Sequence, residues 1–413
     1  MAPGGSGQNL KLYLIGGVAV AVIVIVAVLL LLYRPQPGIA TPAATSYPTT
    51  VPTTTAAVFT VPTTTASSPA TTTALPGSGG VYSILANIAN NQQIPTPANF
   101  QQMITLDPSQ YASYANADLG NIRFFYRNTE LYSWCESGCS NTSSSAVFWV
   151  KLPVPISAGS QIQLLILFEP MKTNYDGVYA GEAPQLSPIY AQYDNGANIF
   201  NIYTNFAGTS LSSNWINTDQ SDGNAAVAKI DNGLYYYSTP GNGGSLSYST
   251  QINPQEYVFE TYTEFTSQVG GTSGGWPEVL LGTTGTVSYS RVPSIEIAMG
   301  GCSTPNNIEF VSIGGPNIGN GGFGSLPASL NTYYVTSLYE TPTAGYGAIN
   351  YNPLGNTGGT TGCSYLGGPY FTPQNMTSMS YWAFDGAGLK SQWMRVRLIP
   401  PDGVMPSVSF TST

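Results

Sequence analysis

The sequence predicts an all-β protein: two β-sandwich domains on a disordered Thr/Pro-rich stalk, behind one N-terminal membrane-spanning helix. Three observations predict it. Short apolar-alternating runs broken by turn residues recur from Val81 to the carboxy terminus, and 46 glycines and 31 prolines punctuate the chain. Residues 34–80 are nearly all Thr, Pro, Ala, Ser, Val and Gly. Leu12 to Tyr33 is one apolar run without charge or proline.

That run would form a helix of about 33 Å, enough to cross a hydrocarbon core of about 30 Å. It lacks the polar stripe of a helix packed in a soluble core, so residues 12–33 are expected to anchor the chain in a membrane. Lys11 before the span and Arg34 after it nearly tie on orientation. Residues 1–11 are too few for a domain, and the sequons and cysteines beyond the span suit the outside of a cell, so the amino terminus is expected in the cytoplasm. A cleaved secretory signal is a competing reading, but its apolar region is shorter and ends in a small-residue cleavage site, unlike Tyr33-Arg-Pro-Gln-Pro-Gly38. An archaeal pilin leader is a third, though its short basic site and early glutamate are missing.

Of 413 residues, about 330 remain after anchor and stalk, enough for two ordinary domains. Charged residues are 8% of the chain and histidine is absent, so neutral polar residues and 28 tyrosines must supply much of the surface. The net charge of −9 excludes a nucleic-acid partner, which demands a basic patch. The missing histidine removes the commonest general base and metal ligand, and no cofactor is expected. Low charge without histidine also suits a protein bathed in acid, although exported β-proteins rich in neutral polar residues share it.

The stalk repeats Val-Pro-Thr-Thr-Thr-Ala at Val51 and Val61, and no charge occurs between Arg34 and Asp107. Such a segment cannot bury a core. It is expected to stay extended, with a ceiling of roughly 140 Å at ~3.1 Å per residue.

In the first head domain, residues 81–194, the clearest strands are Phe100 to Leu106, Asn121 to Tyr126, Ala146 to Leu152 and Gln161 to Phe168. The succession Ile104-Thr-Leu-Asp107, Asn121-Ile-Arg-Phe124, Leu131-Tyr-Ser-Trp134, Phe148-Trp-Val-Lys-Leu-Pro153 and Ile162 to Phe168 resembles a β-sandwich module of prokaryotic surface proteins, catalogued as domain of unknown function 2341. The resemblance implies an exported, multidomain protein and no particular chemistry. Cys135-Glu-Ser-Gly-Cys139 departs from that pattern, and so does the absence of a tyrosine-glycine ending after Gln161.

In the second, residues 195–413, Phe206 to Trp215, Lys229 to Tyr237, Ser245 to Ser249 and Tyr257 to Phe265 are similar to the opening of concanavalin A-like jelly rolls. Trp393 to Phe410 resembles their closing strand. The resemblance implies saccharide binding or hydrolysis. Glycosidases need two carboxyls about 5–5.5 Å or about 6.5–9.5 Å apart. Glu260 and Glu264 share a strand face, but four residues of strand separate their Cα atoms by roughly 13 Å. In Ser294-Ile-Glu-Ile-Ala-Met299, where the family carries Glu-x-Asp-x-x-Glu, only Glu296 is acidic. No catalytic residue is expected, unless acids from separate strands, such as Glu278 and Glu296, converge.

For binding, the candidates are aromatics beside glycine loops, since sugar C–H faces stack on rings while amides bond hydroxyls. Trp276 leads, after Gly270-Gly-Thr-Ser-Gly-Gly275, followed by Tyr370 and Trp382; core packing is the competing role for each. The runs Gly314 to Gly324 and Gly355 to Gly362 are further glycine loops. Asp219-Gln-Ser-Asp-Gly-Asn224 invites calcium, but its glycine is one place early and the closing glutamate is missing, so it reads as a turn and no metal is expected.

Four cysteines allow two bridges; adjacency favours Cys135 with Cys139, leaving Cys302 with Cys363, against a four-thiolate zinc site. Asn141-Thr-Ser and Asn375-Met-Thr are glycosylation acceptors by motif. Taken together, the sequence describes a stalked, single-pass surface protein of an archaeal cell or a virus that infects one. Its head would bind a glycan or a neighbouring surface protein. The alternative is a coat, spike or filament component packed laterally as a homo-oligomer.

Overall fold

A computed structural model of the chain describes residues 82–219, 226–268, 276–283, 293–299, 307–313, 321–356 and 375–412. The expected anchor at 12–33, the expected stalk at 34–80, Tyr370, Cys302, Cys363, residues 220–224 of the expected turn and most of the three glycine loops lie outside the described residues. Among the described residues, no helix is long and apolar enough to cross a membrane.

The described chain is almost entirely strand, in four sheets. Layer one has five strands: Ser407–Ser412, Tyr82–Asn90, Ser160–Phe168, Ile122–Tyr126 and Thr129–Glu130. Layer two has four: Gln101–Leu106, Ala146–Lys151, Ser133–Ser137 and Ala180–Glu182. Their inner faces bury Ile84, Ala86, Ile88, Ile104, Phe124, Phe148, Leu164 and Ile166 in one core. Strict alternation puts these side chains there: Tyr82–Asn90 buries every second residue, the pattern of a strand with one face inward.

The second sandwich pairs an eight-stranded layer three with a seven-stranded layer four. Layer three includes Leu234–Tyr237, Gly388–Leu398, Tyr257–Ser267 and Tyr333–Glu340; layer four includes Gly243–Tyr248, Ser378–Phe384, Pro277–Gly282, Ser294–Met299 and Asn307–Ile313. Phe259, Phe265, Leu338, Met394 and Val396 from layer three meet Leu246, Val279, Leu281, Ile295, Ile297, Phe310 and Tyr381 from layer four. This is the two-sheet architecture that the jelly-roll resemblance implies.

The expected closing strand, Trp393 to Phe410, is divided. Gly388–Leu398 lies in layer three beside Tyr257–Ser267, whereas Ser407–Ser412 returns to layer one and pairs antiparallel with Tyr82–Asn90, Ala86 opposite Phe410. Pro400, Pro401 and Pro406 interrupt the run and have no amide hydrogen to continue a ladder.

The two sandwiches meet through a buried ionic cluster. On Gly388–Leu398, Met394 and Val396 point into the second core, so Trp393, Arg395 and Arg397 point the other way, toward layer two. Arg395 donates from Nη1 to Glu136 Oε2 (2.6 Å), from Nε to Glu260 Oε2 (2.7 Å) and from Nη2 to the Tyr351 hydroxyl (2.7 Å). Arg397 forks onto Glu260 at 2.7 and 3.0 Å. The guanidinium of Arg395 sits 4.5 Å from the ring centres of Trp149 and Trp393 and 4.7 Å from that of Phe200. Burial alone would push the Glu260 carboxyl up; the two guanidinium ions overcome it and hold it down at about 2. Two carboxylates facing two guanidinium groups leave the cluster without net charge.

At the junction, Asp194 accepts from Trp134 Nε1, the Gly196 amide, the Tyr203 hydroxyl and Asn205 Nδ2, all within 3.0 Å. The Cys135–Cys139 bridge is formed at the end of Ser133–Ser137. Gly138 between its cysteines has φ +65°, and a Cβ there would overlap the Ser145 carbonyl oxygen.

Candidate functional site

The outer face of layer four carries two rows of side chains rich in serine and glutamate. In Ser378–Phe384, Met379, Tyr381 and Ala383 enter the core, so Ser378, Ser380, Trp382 and Phe384 face outward. Cross-strand register aligns them with their neighbours in two rows. One row runs Ser245, Trp382, Glu278, Ala298, Glu309; the next runs Ser247, Ser380, Leu280, Glu296, Val311. The Ser247 and Ser380 hydroxyls bond at 2.8 Å, and Trp382 packs on Leu280 and Phe384. Three side chains of these rows keep only a narrow exposed edge: Trp382 is 8% exposed, Glu278 8% and Glu296 6%.

Glu278 and Glu296, from adjacent strands, do converge. Their carboxyls are hydrogen-bonded to each other, and Ser294 donates to Glu296 Oε1 at 2.5 Å. Burial raises both, Glu278 well above the usual carboxylate range, and the neighbouring Glu296 carboxylate raises Glu278 further. Burial and the neighbouring carboxylate thus favour the neutral form of Glu278. Glycosidase carboxyls instead stand about 5–5.5 Å or about 6.5–9.5 Å apart. The other expected same-face pair is engaged elsewhere: Glu260 with Arg395 and Arg397, Glu264 with Lys390 at 2.9 Å.

Among the described residues, no group of three or more Cys, Asp or Glu side chains is arranged to hold a metal ion. Trp276 stands just before Pro277–Gly282, half-buried, and its indole N–H has no hydrogen-bond partner among the described residues. Asn375 is exposed in a left-handed turn at φ 56°, whereas the Asn141 side-chain amide is half-buried and donates to the Ala115 carbonyl at 3.2 Å.

No protein-family model matches the chain, so the resemblance of residues 81–194 to domain of unknown function 2341 gains no support there. A viral protein is among its relatives. The chain is 29% identical over 336 residues to uncharacterized protein 562 of Sulfolobus islandicus rod-shaped virus 1. The match covers 78% of this chain and 57% of that protein, so the chain spans little more than half the length of the relative. Among solved structures, the laminarinase of Rhodothermus marinus is similar at 13% identity, covering 48% of this chain and 97% of that one, with a TM-score of 0.34. A pseudo β-1,3-glucanase of Mycobacterium tuberculosis is similar at 13% identity, covering 48% and 98%, with a TM-score of 0.36.

The serine rows escaped the sequence reading, although the period-two run Ser-Met-Ser-Tyr-Trp-Ala-Phe carried their signal. The partners in each row come from strands far apart in sequence, and only cross-strand register brings them together.

Proposed function

We propose that the chain is a surface recognition protein of a virus or an archaeal cell envelope, binding a glycan through the outer face of layer four without cleaving it. One observation carries this: on that face an indole, Trp382, lies between a serine and a hydrogen-bonded carboxyl pair. What the face offers a sugar is the narrow exposed edge of the indole, 8% of that residue, with hydroxyl and carboxyl groups beside it. Trp276 and Tyr370 are proposed as further contacts. The membrane span at 12–33 and the stalk would hold the head away from the surface, as a single-pass protein with a cytoplasmic amino terminus. The viral relative supports a virion surface as the setting. The hydrogen-bonded contact of Glu278 with Glu296 speaks against hydrolysis.

Calorimetric titration of the full chain with neutral oligosaccharides tests the site. Trp382→Ala should weaken binding about tenfold or more, as loss of a buried aromatic anchor does. Unchanged affinity in a folded Trp382→Ala protein would remove this face from the proposal.

A second reading, lateral packing into a coat or filament, is favoured by exposed apolar residues gathered within a short stretch of chain. Val178 is 50% exposed, Tyr179 39%, Leu186 39% and Ile189 71%. Sedimentation over a concentration series separates the two: assembly that Ile189→Asp abolishes supports packing, and a monomer throughout removes it.

A further inference from the structure

The outer face of layer three is only partly covered by the first sandwich. Its middle carries Glu260, Arg395 and Arg397 in the buried ionic cluster. Beyond Trp393, cross-strand register lines up Tyr235, Lys390, Glu264 and Tyr333, one from each of four neighbouring strands. Leu234, Tyr236, Phe265 and Leu389 of the same strands enter the core, so this row faces outward. The rings are paired: Tyr235 stacks with Tyr237 at 4.5 Å and Tyr262 with Tyr333 at 4.9 Å. All four tyrosines are half-buried, with part of each side chain open to water.

Polar groups fill the space between the ring pairs. Lys390 Nζ lies 2.9 Å from Glu264 Oε1 and 5.9 Å from the centre of the Tyr235 ring, so the two charges within the row cancel. Gln392 occupies an irregularity in the pairing between Trp393 and Ser391 and donates from Nε2 to the Tyr333 hydroxyl at 2.8 Å. Its Oε1 is buried without a hydrogen-bond partner among the described residues. Burial pushes the Tyr333 hydroxyl up to about 12, so it keeps a proton to donate. Lys229, opposite Tyr235 on the next strand, ends the row at the sheet edge.

We infer that this row is a second, open binding platform for a neutral oligosaccharide lying across the strands. Flat rings at both ends accept the C–H faces of pyranose units, and the groups between them offer the donors and acceptors that hydroxyls require. Four strands at ~4.8 Å spacing place Tyr235 and Tyr333 roughly 14 Å apart, the scale of a short oligosaccharide. A protein partner would want a more apolar centre, and nucleic acid would want unpaired cations along the row. The site lies on the opposite side of the second sandwich from Trp382 and does not depend on it.

The test titrates the full chain with cello-, laminari-, chito- and manno-oligosaccharides and compares Tyr333→Ala, the double variant Tyr235→Ala/Tyr237→Ala, and Trp382→Ala. Binding of at least one series, weakened about tenfold by either platform variant, is expected; Tyr333→Phe, which keeps the ring, should lose less. If the alanine variants do not fold, nitration of the unmodified protein decides: bound oligosaccharide should protect Tyr235, Tyr237 and Tyr333. Absence of binding to every series, equal affinity in folded platform variants, or unprotected tyrosines would each overturn the platform. Binding lost in Trp382→Ala alone overturns it too and leaves the face of layer four standing.

Discussion

At the residue scale, Arg395 is the side chain on which most depends. It is fully buried, and its donors meet two carboxylates and a tyrosine hydroxyl contributed by two separate strands and a turn. Removing one partner from a buried ionic group leaves uncompensated charge behind, so Arg395→Met should cost ~3–5 kcal/mol in denaturant unfolding. A cost under about 1 kcal/mol would show that the cluster is dispensable. The buried acids also set opposing pH dependences. Glu260 is depressed to about 2, so its contribution is fully present above the ordinary value of 4.5 and is lost as pH falls through about 2. Glu278 and Glu296 are raised above 4.5: the unfolded chain releases these protons first, and stability falls as pH rises above that value. Glu182, which burial raises to about 7, acts in the same direction. The melting temperature should therefore be higher at about pH 4 than at about pH 7, and Glu278→Gln should shrink the difference. An identical melting temperature at both would contradict the raised carboxyls. Such a profile would suit the acid setting that the low charge and missing histidine allow.

At the element scale, the last strand closes the first sheet. Val408 is buried and Phe410 packs on the first core, although more than 300 residues separate them from Tyr82–Asn90. Deleting residues 407–413 should expose the edge of Tyr82–Asn90 and raise its protease sensitivity, read by mass spectrometry of the fragments; equal sensitivity would make the strand an accessory. By contrast, the Cys135–Cys139 bridge closes a loop with a sequence separation of four, so Cys135→Ser/Cys139→Ser should cost only about 2 kcal/mol. Individual strands were legible in sequence. The runs from Phe100, Asn121, Ala146 and Gln161 correspond to Gln101–Leu106, Ile122–Tyr126, Ala146–Lys151 and Ser160–Phe168, because alternation and turn residues are local signals. The return of Ser407–Ser412 was not legible, since strand pairing at long range leaves no local mark. At the proposed site Trp382 and the pair Glu278 and Glu296 were named from sequence, but their meeting depends on register between strands. The tyrosines of Leu234–Tyr237 read only as strand until layer three showed which of them face out.

At the scale of the whole molecule, the two sandwiches share buried contacts: Val335, Tyr351 and Trp393 of the second lie in the core of the first. The head should unfold as one cooperative transition, and Arg395→Met should split it in two, as followed by scanning calorimetry. Coupling of this kind would let the two sandwiches present two faces, one around Trp382 and one around Tyr333, as one unit. The central claim is that this head recognises a glycan and leaves it intact. Its most direct test incubates the full chain with a broad polysaccharide and oligosaccharide panel, following bound ligand and released reducing ends in the same wells from about pH 3 to about pH 8. Saturable binding with no sugar released at any pH is the expected result. Release of sugar that Glu278→Gln or Glu296→Gln abolishes would contradict it, because the hydrogen-bonded pair would then be a catalytic one.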